Sequence, residues 1–107
     1  MSGLSSKQCE PCEEGTSALT EEQYSPLLKE LNGWEVVKGH HLRKECKFQD
    51  FVSALSFVNK HGELAENEGH HPNIFLTWGK VDIEIFTHKI DGLTESDFVL
   101  AAKIDKL

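Results

Sequence analysis

The sequence predicts an α+β fold, a two-layer sandwich with a four-stranded antiparallel sheet and three helices on one of its faces. Three observations predict it: two stretches with apolar residues alternating as in hairpins, three with apolar residues at helical spacing, and their order, α-β-β-α-β-β-α. Each hairpin has one apolar face and each helix one apolar stripe, and two layers bury them together. The other face of the sheet is left to solvent or to another subunit, and is expected to present Asp82, Glu84, Phe86 and His88.

Taken in order, Thr20-Glu21-Glu22-Gln23 matches a capping box, in which a Thr and a Gln three residues later satisfy free backbone N–H groups at a helix start. Tyr24, Leu27, Leu28 and Leu31 follow at helical spacing, and Asn32-Gly33 is the expected stop. Trp34 to Val37, a Lys38-Gly39-His40 turn and Leu42 to Phe48 read as the first hairpin. From Asp50, a plausible cap, Phe51, Ala54, Leu55, Val58 and Ala65 form one apolar stripe on a helix that Gly69 ends, with Pro72 just beyond. Ile74, Leu76 and Trp78 alternate up to a Gly79-Lys80 turn, and Val81, Ile83 and Ile85 alternate after it, giving the second hairpin. Thr94-Glu95-Ser96-Asp97 is an acidic variant of the capping box, and the helix behind it carries Leu100, Ala101, Ile104 and Leu107 on one side. Trp34 and Trp78 are expected in the core or as pocket walls.

A chain of 107 residues accommodates one compact domain, assigned to residues 20–107, after a polar arm at 1–19. Its 38% hydrophobic and 27% charged residues are ordinary for a globular protein. A formal net charge of -7, with no cluster of Lys and Arg, argues against nucleic-acid binding. No apolar run reaches membrane-spanning length and the N-terminus has no secretory or transit character, so the cytoplasm is the expected location. Three cysteines make no closed disulfide framework. Cys9 and Cys12 form an isolated Cys-x-x-Cys in the polar arm, read as two thiols rather than as a metal or redox motif.

Six histidines are many for this length, and four of them are paired: His40-His41 and His70-His71. The first pair falls in or beside a turn and is read as solvated. The second follows Glu66 on the last turn of a helix, is preceded by the helix-breaking Gly69, and is stiffened by Pro72. His88 lies at the end of the fourth strand and Asp97 in the first turn of the last helix. A helix end, a strand end and a helix start are therefore expected to converge at one edge of the sheet.

The run Ala65-Glu66-Asn67-Glu68-Gly69-His70-His71-Pro72, then Trp78, Thr87-His88, Gly92-Leu93-Thr94 and Asp97, resembles the signature of the pterin-4a-carbinolamine dehydratases, over about residues 20–107. The resemblance implies a cofactor-free and metal-free hydro-lyase that removes water from a 4a-hydroxytetrahydropterin. It also implies a homodimer or homotetramer, and a functional link to an aromatic amino acid hydroxylase. His70, His71 and His88 match the family's active-site histidines, and Glu66 and Asp97 their supporting carboxylates. His70, His71, Pro72, Thr87, His88, Lys89 and Ile90 match the positions that line the pterin pocket. Some members carry Asp where this chain has Gly69, so no role given to that Asp transfers here.

Loss of the C4a hydroxyl with release of a proton from a ring nitrogen needs an acid and a base. Imidazole, with an ordinary pKa of about 6.5, serves as either. Two alternatives are carried forward. One is a metal site built from His70, His71, His88 and Glu66, which adjacent diverging side chains disfavour. The other is a non-enzymatic dimerisation partner of a transcription factor, a role known for animal members of the family.

Overall fold

The structure is a computed structural model that describes residues 17–107; Cys9 and Cys12 lie outside the described residues. Its elements run α1 (Glu21–Leu28), β1 (Glu35–Val37), β2 (His41–Lys47), α2 (Phe51–Glu68), β3 (Asn73–Thr77), β4 (Lys80–Ile85) and α3 (Glu95–Ile104). All strand pairs are antiparallel, and the sheet order is β1-β2-β4-β3. The predicted architecture and element order are both observed.

Register decides what each face of the sheet presents. Leu42 pairs with Ile85, Cys46 with Val81, Ile74 with Ile83 and Leu76 with Val81, which puts these residues on the helix side. There Leu42, Val81, Ile83 and Ile85 are fully buried. On the opposite face Arg43 pairs with Glu84, Glu45 with Asp82 and Phe75 with Asp82. Arg43 joins Glu35 at 3.4 Å to Asp82 at 3.1 Å there, and Lys80 reaches Glu45 at 3.4 Å. A shallow groove of about 280 Å³ between Arg43, Asn73, Phe75 and Glu84 lies on this polar face, along the edge strand β3.

Helix starts follow their sequence signals. The Thr20 N–H donates to Gln23 Oε1 at 2.8 Å, and the Gln23 N–H donates to Thr20 Oγ1 at 3.4 Å. Asp50 Oδ1 accepts from the Ser53 N–H at 2.8 Å, which holds the Asp50 carboxyl below the usual carboxylate range. Helix ends are less obedient. Regular helix α1 stops at Leu28 rather than at Asn32-Gly33. Pro26 deprives it of one bond, and tight turns from Glu30 N–H to Leu27 O and from Leu31 N–H to Leu28 O finish it. Asn32 is drawn away by its N–H bond to Asp105 Oδ2 at 2.9 Å, while Asp105 Oδ1 accepts from Trp34 Nε1 and Lys44 Nζ.

Three further expectations are corrected. The buried stripe of α2 is Ala54, His61 and Ala65, flanked by half-buried Phe57, Val58 and Leu64, whereas Phe51 and Leu55 are exposed. Helix α3 is buried almost all round, from Ser96 to Ala102 and again at Ile104, because α1 and α2 both pack against it; Leu107 lies beyond it and is exposed. Trp34 is in the core, but Trp78 is 68% exposed. The second hairpin turns at Trp78-Gly79, one residue earlier than predicted, and places the indole at the tip.

Candidate active site

Three segments place the candidate residues. At the end of α2, Gly69 takes a left-handed backbone (φ 69) that its missing side chain makes inexpensive. Its N–H donates to Glu66 O and the His70 N–H donates to Ala65 O, each at 3.2 Å. This pair of bonds is a Schellman ending, and it fixes the backbone of His70 against the helix. The second segment follows β4, where Thr87 and Gly92 bridge by mutual backbone bonds of 2.8 and 3.4 Å and close a loop of His88 to Asp91. The third is the start of α3, where Asp97 lies in the first turn.

Asp97 joins all three. It is fully buried, and its Oδ2 accepts from the Thr94 N–H at 2.7 Å and the Thr87 hydroxyl at 2.9 Å. Because the Thr87 hydrogen is committed to Asp97, the Thr94 hydroxyl is the donor in the 3.0 Å bond between the two threonines. Asp97 Oδ1 accepts from His70 Nε2 at 2.5 Å. A buried carboxylate needs such partners, since leaving it unpaired is costly. The bond also sets the tautomer: with Nε2–H given to Asp97, Nδ1 is left as the ring nitrogen with a free lone pair.

The other candidates are held differently. His71 Nε2 donates to Glu66 Oε1 at 2.9 Å, but both side chains are largely in solvent, at 63% and 79% exposure. His88 lies just outside the Asp97 cluster, since its neighbour Thr87 is the member. Its ring stacks on Phe86, with centroids 4.3 Å apart and planes at 25°. Among the described residues no group bonds to its ring nitrogens. Thr87, expected as a pocket wall, is buried with its hydroxyl on Asp97. Lys89 is exposed, and Ile90 is tied by its N–H to Thr87 O at 3.3 Å. Among the described residues no three His, Cys, Asp or Glu side chains are arranged to hold a metal ion.

Sequence reasoning missed several residues. Thr94 was legible as a helix cap and as part of the Gly92-Leu93-Thr94 signature but not as a partner of Thr87, and Phe86 only as part of a mixed face. His40 and His41 are not solvated turn residues, being 34% and 18% exposed in their side chains. His40 Nε2 donates to Asp91 at 2.7 Å, and the two Nδ1 atoms lie 3.1 Å apart. His61 was not singled out at all. It is fully buried, donates Nδ1–H to Phe57 O at 2.9 Å, and has no partner at Nε2 among the described residues. Burial pushes its pKa down, against a smaller upward pull from that carbonyl.

Comparison with known proteins bears on the same segments. A family model described as pterin 4 alpha carbinolamine dehydratase matches residues 17–107. A pterin-4-alpha-carbinolamine dehydratase relative from Rubrobacter xylanophilus is 55% identical, with all of both chains covered. Another, from Alkaliphilus metalliredigens, is 52% identical over 99% of this chain and 96% of its own. The crystal structure of a transcriptional coactivator/pterin dehydratase from Brucella melitensis superposes with a TM-score of 0.79 at 34% identity, covering 84% of this chain and 97% of that one. A pterin dehydratase-like protein identified as a RuBisCO assembly factor in the alpha-carboxysome shares the fold, with a TM-score of 0.60 at 24% identity over 72% of this chain and 90% of its own. Matched along its full length by such relatives, with the Glu66 to Pro72 run, Thr87-His88 and Asp97 all falling inside the matched residues, this chain belongs to the pterin 4 alpha carbinolamine dehydratase family.

Proposed function

We propose that the chain dehydrates a 4a-hydroxytetrahydropterin to the quinonoid dihydropterin, with His70 and His88 as the proton-transferring residues. The C4a–O bond breaks and the hydroxyl leaves as water with a proton from one imidazole. The other imidazole takes the proton from the ring nitrogen, whose N–H electrons become the new C=N bond. The substrate is neither oxidised nor reduced overall, since it loses only the elements of water, and no cofactor enters the balance. The acid ends without its proton and the base with one extra, so exchange with solvent resets both.

The observation that carries this reading is the junction at Asp97, where one buried carboxylate holds His70 by one oxygen and Thr87, the neighbour of His88, by the other. Asp97 fixes the tautomer of His70, which leaves Nδ1 for chemistry. The unbonded nitrogens of His88 suit either role. His71, oriented loosely by Glu66, binds substrate or shares the acid role. Pro72, Thr87, Lys89 and Ile90 border the pterin ring. The natural setting of this chemistry is tetrahydropterin recycling beside an aromatic amino acid hydroxylase in the cytoplasm. No helix among the described residues is long and apolar enough to cross a membrane.

A homo-oligomer is the assembly this reading favours. β3 is an edge strand with Ile74 37% and Phe75 61% exposed, and an unpaired apolar edge invites a second strand.

The test is a stopped-flow assay on synthetic 4a-carbinolamine. The wild type should exceed the spontaneous rate, and His70→Ala and His88→Ala should each lose about a hundred- to ten-thousandfold in kcat. Wild-type rates in both variants would overturn the assignment.

A further inference from the structure

The histidine pair at the first hairpin is built into the molecule rather than placed in solvent. Lys38 (φ 54) and Gly39 (φ 65) form a tight turn, closed by the His40 N–H bonding to Val37 O at 2.9 Å. Leu42 pairs with Ile85, so one step further along the two strands His41 comes opposite Phe86. Four rings then cluster, with His41 also 6.5 Å from Phe86. His41 meets the edge of His40 at a centroid distance of 5.4 Å, and His40 lies on Phe86 at 4.6 Å. Phe86 carries His88 on its own stack at 4.3 Å.

We propose that His40 and His41 are positioning residues for His88, acting through Phe86. The inference rests on the reading that His88 transfers a proton, because a stack that fixes its ring then fixes its reach to substrate. The phenyl ring is a platform, and a platform that tilts takes the imidazole with it. Two polar anchors hold His40 against that platform. His40 Nε2 donates to Asp91, which sits in the same four-residue loop as His88, and His40 Nδ1 is left to accept from His41 Nδ1–H at 3.1 Å. Glu84 faces the other nitrogen of His41 at 3.9 Å. The loop is thus held at both ends, at His88 by the stack on Phe86 and at Asp91 by the bond to His40 on the first hairpin. Hydrogen bonding to the ring nitrogens of His88 itself would compete with its chemistry; stacking positions the ring and leaves both nitrogens free.

The experiment combines steady-state kinetics with the proton resonances of the His88 ring, which lie upfield as long as the Phe86 ring stacks on it. Phe86→Leu should move both His88 ring resonances downfield. His40→Ala should move them in the same direction and lower kcat by about ten- to a hundredfold, with KM changed by less than about twofold. His40→Phe, which keeps a ring against Phe86, should recover most of the kcat. Asp91→Asn, at a site 84% exposed and harmless to folding, should shift the resonances by a smaller amount. Unmoved His88 resonances and an unchanged kcat in both His40→Ala and Asp91→Asn would overturn the proposal. A wild-type protein without dehydratase activity would refute the catalytic reading instead, and the resonances would still decide the positioning.

Discussion

Phe86 and Thr87 are neighbours in sequence, yet each supports a different kind of imidazole site. Thr87 turns beneath the helices and joins a buried network in which Asp97 holds His70 by a hydrogen bond. Phe86 packs against His40 and supports His88 by ring stacking. The first arrangement fixes tautomer and orientation together, at the cost of committing one ring nitrogen. The second fixes position only and commits neither. A reaction that needs one acid and one base is served by such a contrast, because the two imidazoles do not have to be alike.

The largest difference between the two imidazole sites is expected in catalysis. If the hydrogen-bonded site is the better organised, His70→Ala should reduce kcat by about a hundred- to ten-thousandfold while the protein stays folded, as checked by its denaturation midpoint. Asp97→Asn is next. The amide cannot accept from His70, Thr87 and Thr94 as the carboxylate does, so a donor is left unpaired, and urea unfolding should show a loss of about 1–3 kcal/mol. An unchanged stability would mean that the network is not the anchor described.

His61 sharpens the contrast as a third kind of histidine, buried with one nitrogen bonded and the other without a partner. Its pKa is lowered by burial, so the unfolded chain binds this proton more readily than the folded one. Its neutral form is therefore compatible with full stability above the ordinary imidazole pKa of about 6.5, and stability is lost as the pH falls through that value. Thermal melts between neutral and mildly acid pH should show this slope, amounting to at most one proton per molecule, and His61→Leu should remove it. The smallest effect is expected at the exposed pair. Glu66→Gln should change stability by less than about 1 kcal/mol, because solvent screens the Glu66 to His71 contact. A larger loss would place that pair with the buried network.

The parts of the site that could be read from sequence are those whose causes are local. Gly69 ends α2 because a left-handed residue is required there, and Pro72 follows because a helix has stopped; both constraints act within a few residues of His70 and His71. Asp97 was visible as a capping residue for the same reason. That its carboxylate also binds Thr87 and His70 was not, since those bonds need three segments brought together. His40 and His41 gave no signal beyond a turn, because their environment comes from the register of β2 on β4. The α2 stripe was read off its true centre for a related reason. His61 counts as polar, and discounting it moved the inferred face toward Phe51 and Leu55, which the packing leaves exposed. Trp78 was assigned by alternation, but one residue of difference in the turn took it out of the strand.

Whether Asp97 acts through His70 on the dehydration of a 4a-hydroxytetrahydropterin is decided by a double-mutant cycle on kcat. With His70→Ala already in place, adding Asp97→Asn should cost no further activity, so the double variant matches His70→Ala alone. Losses that multiply would mean that Asp97 and His70 act independently.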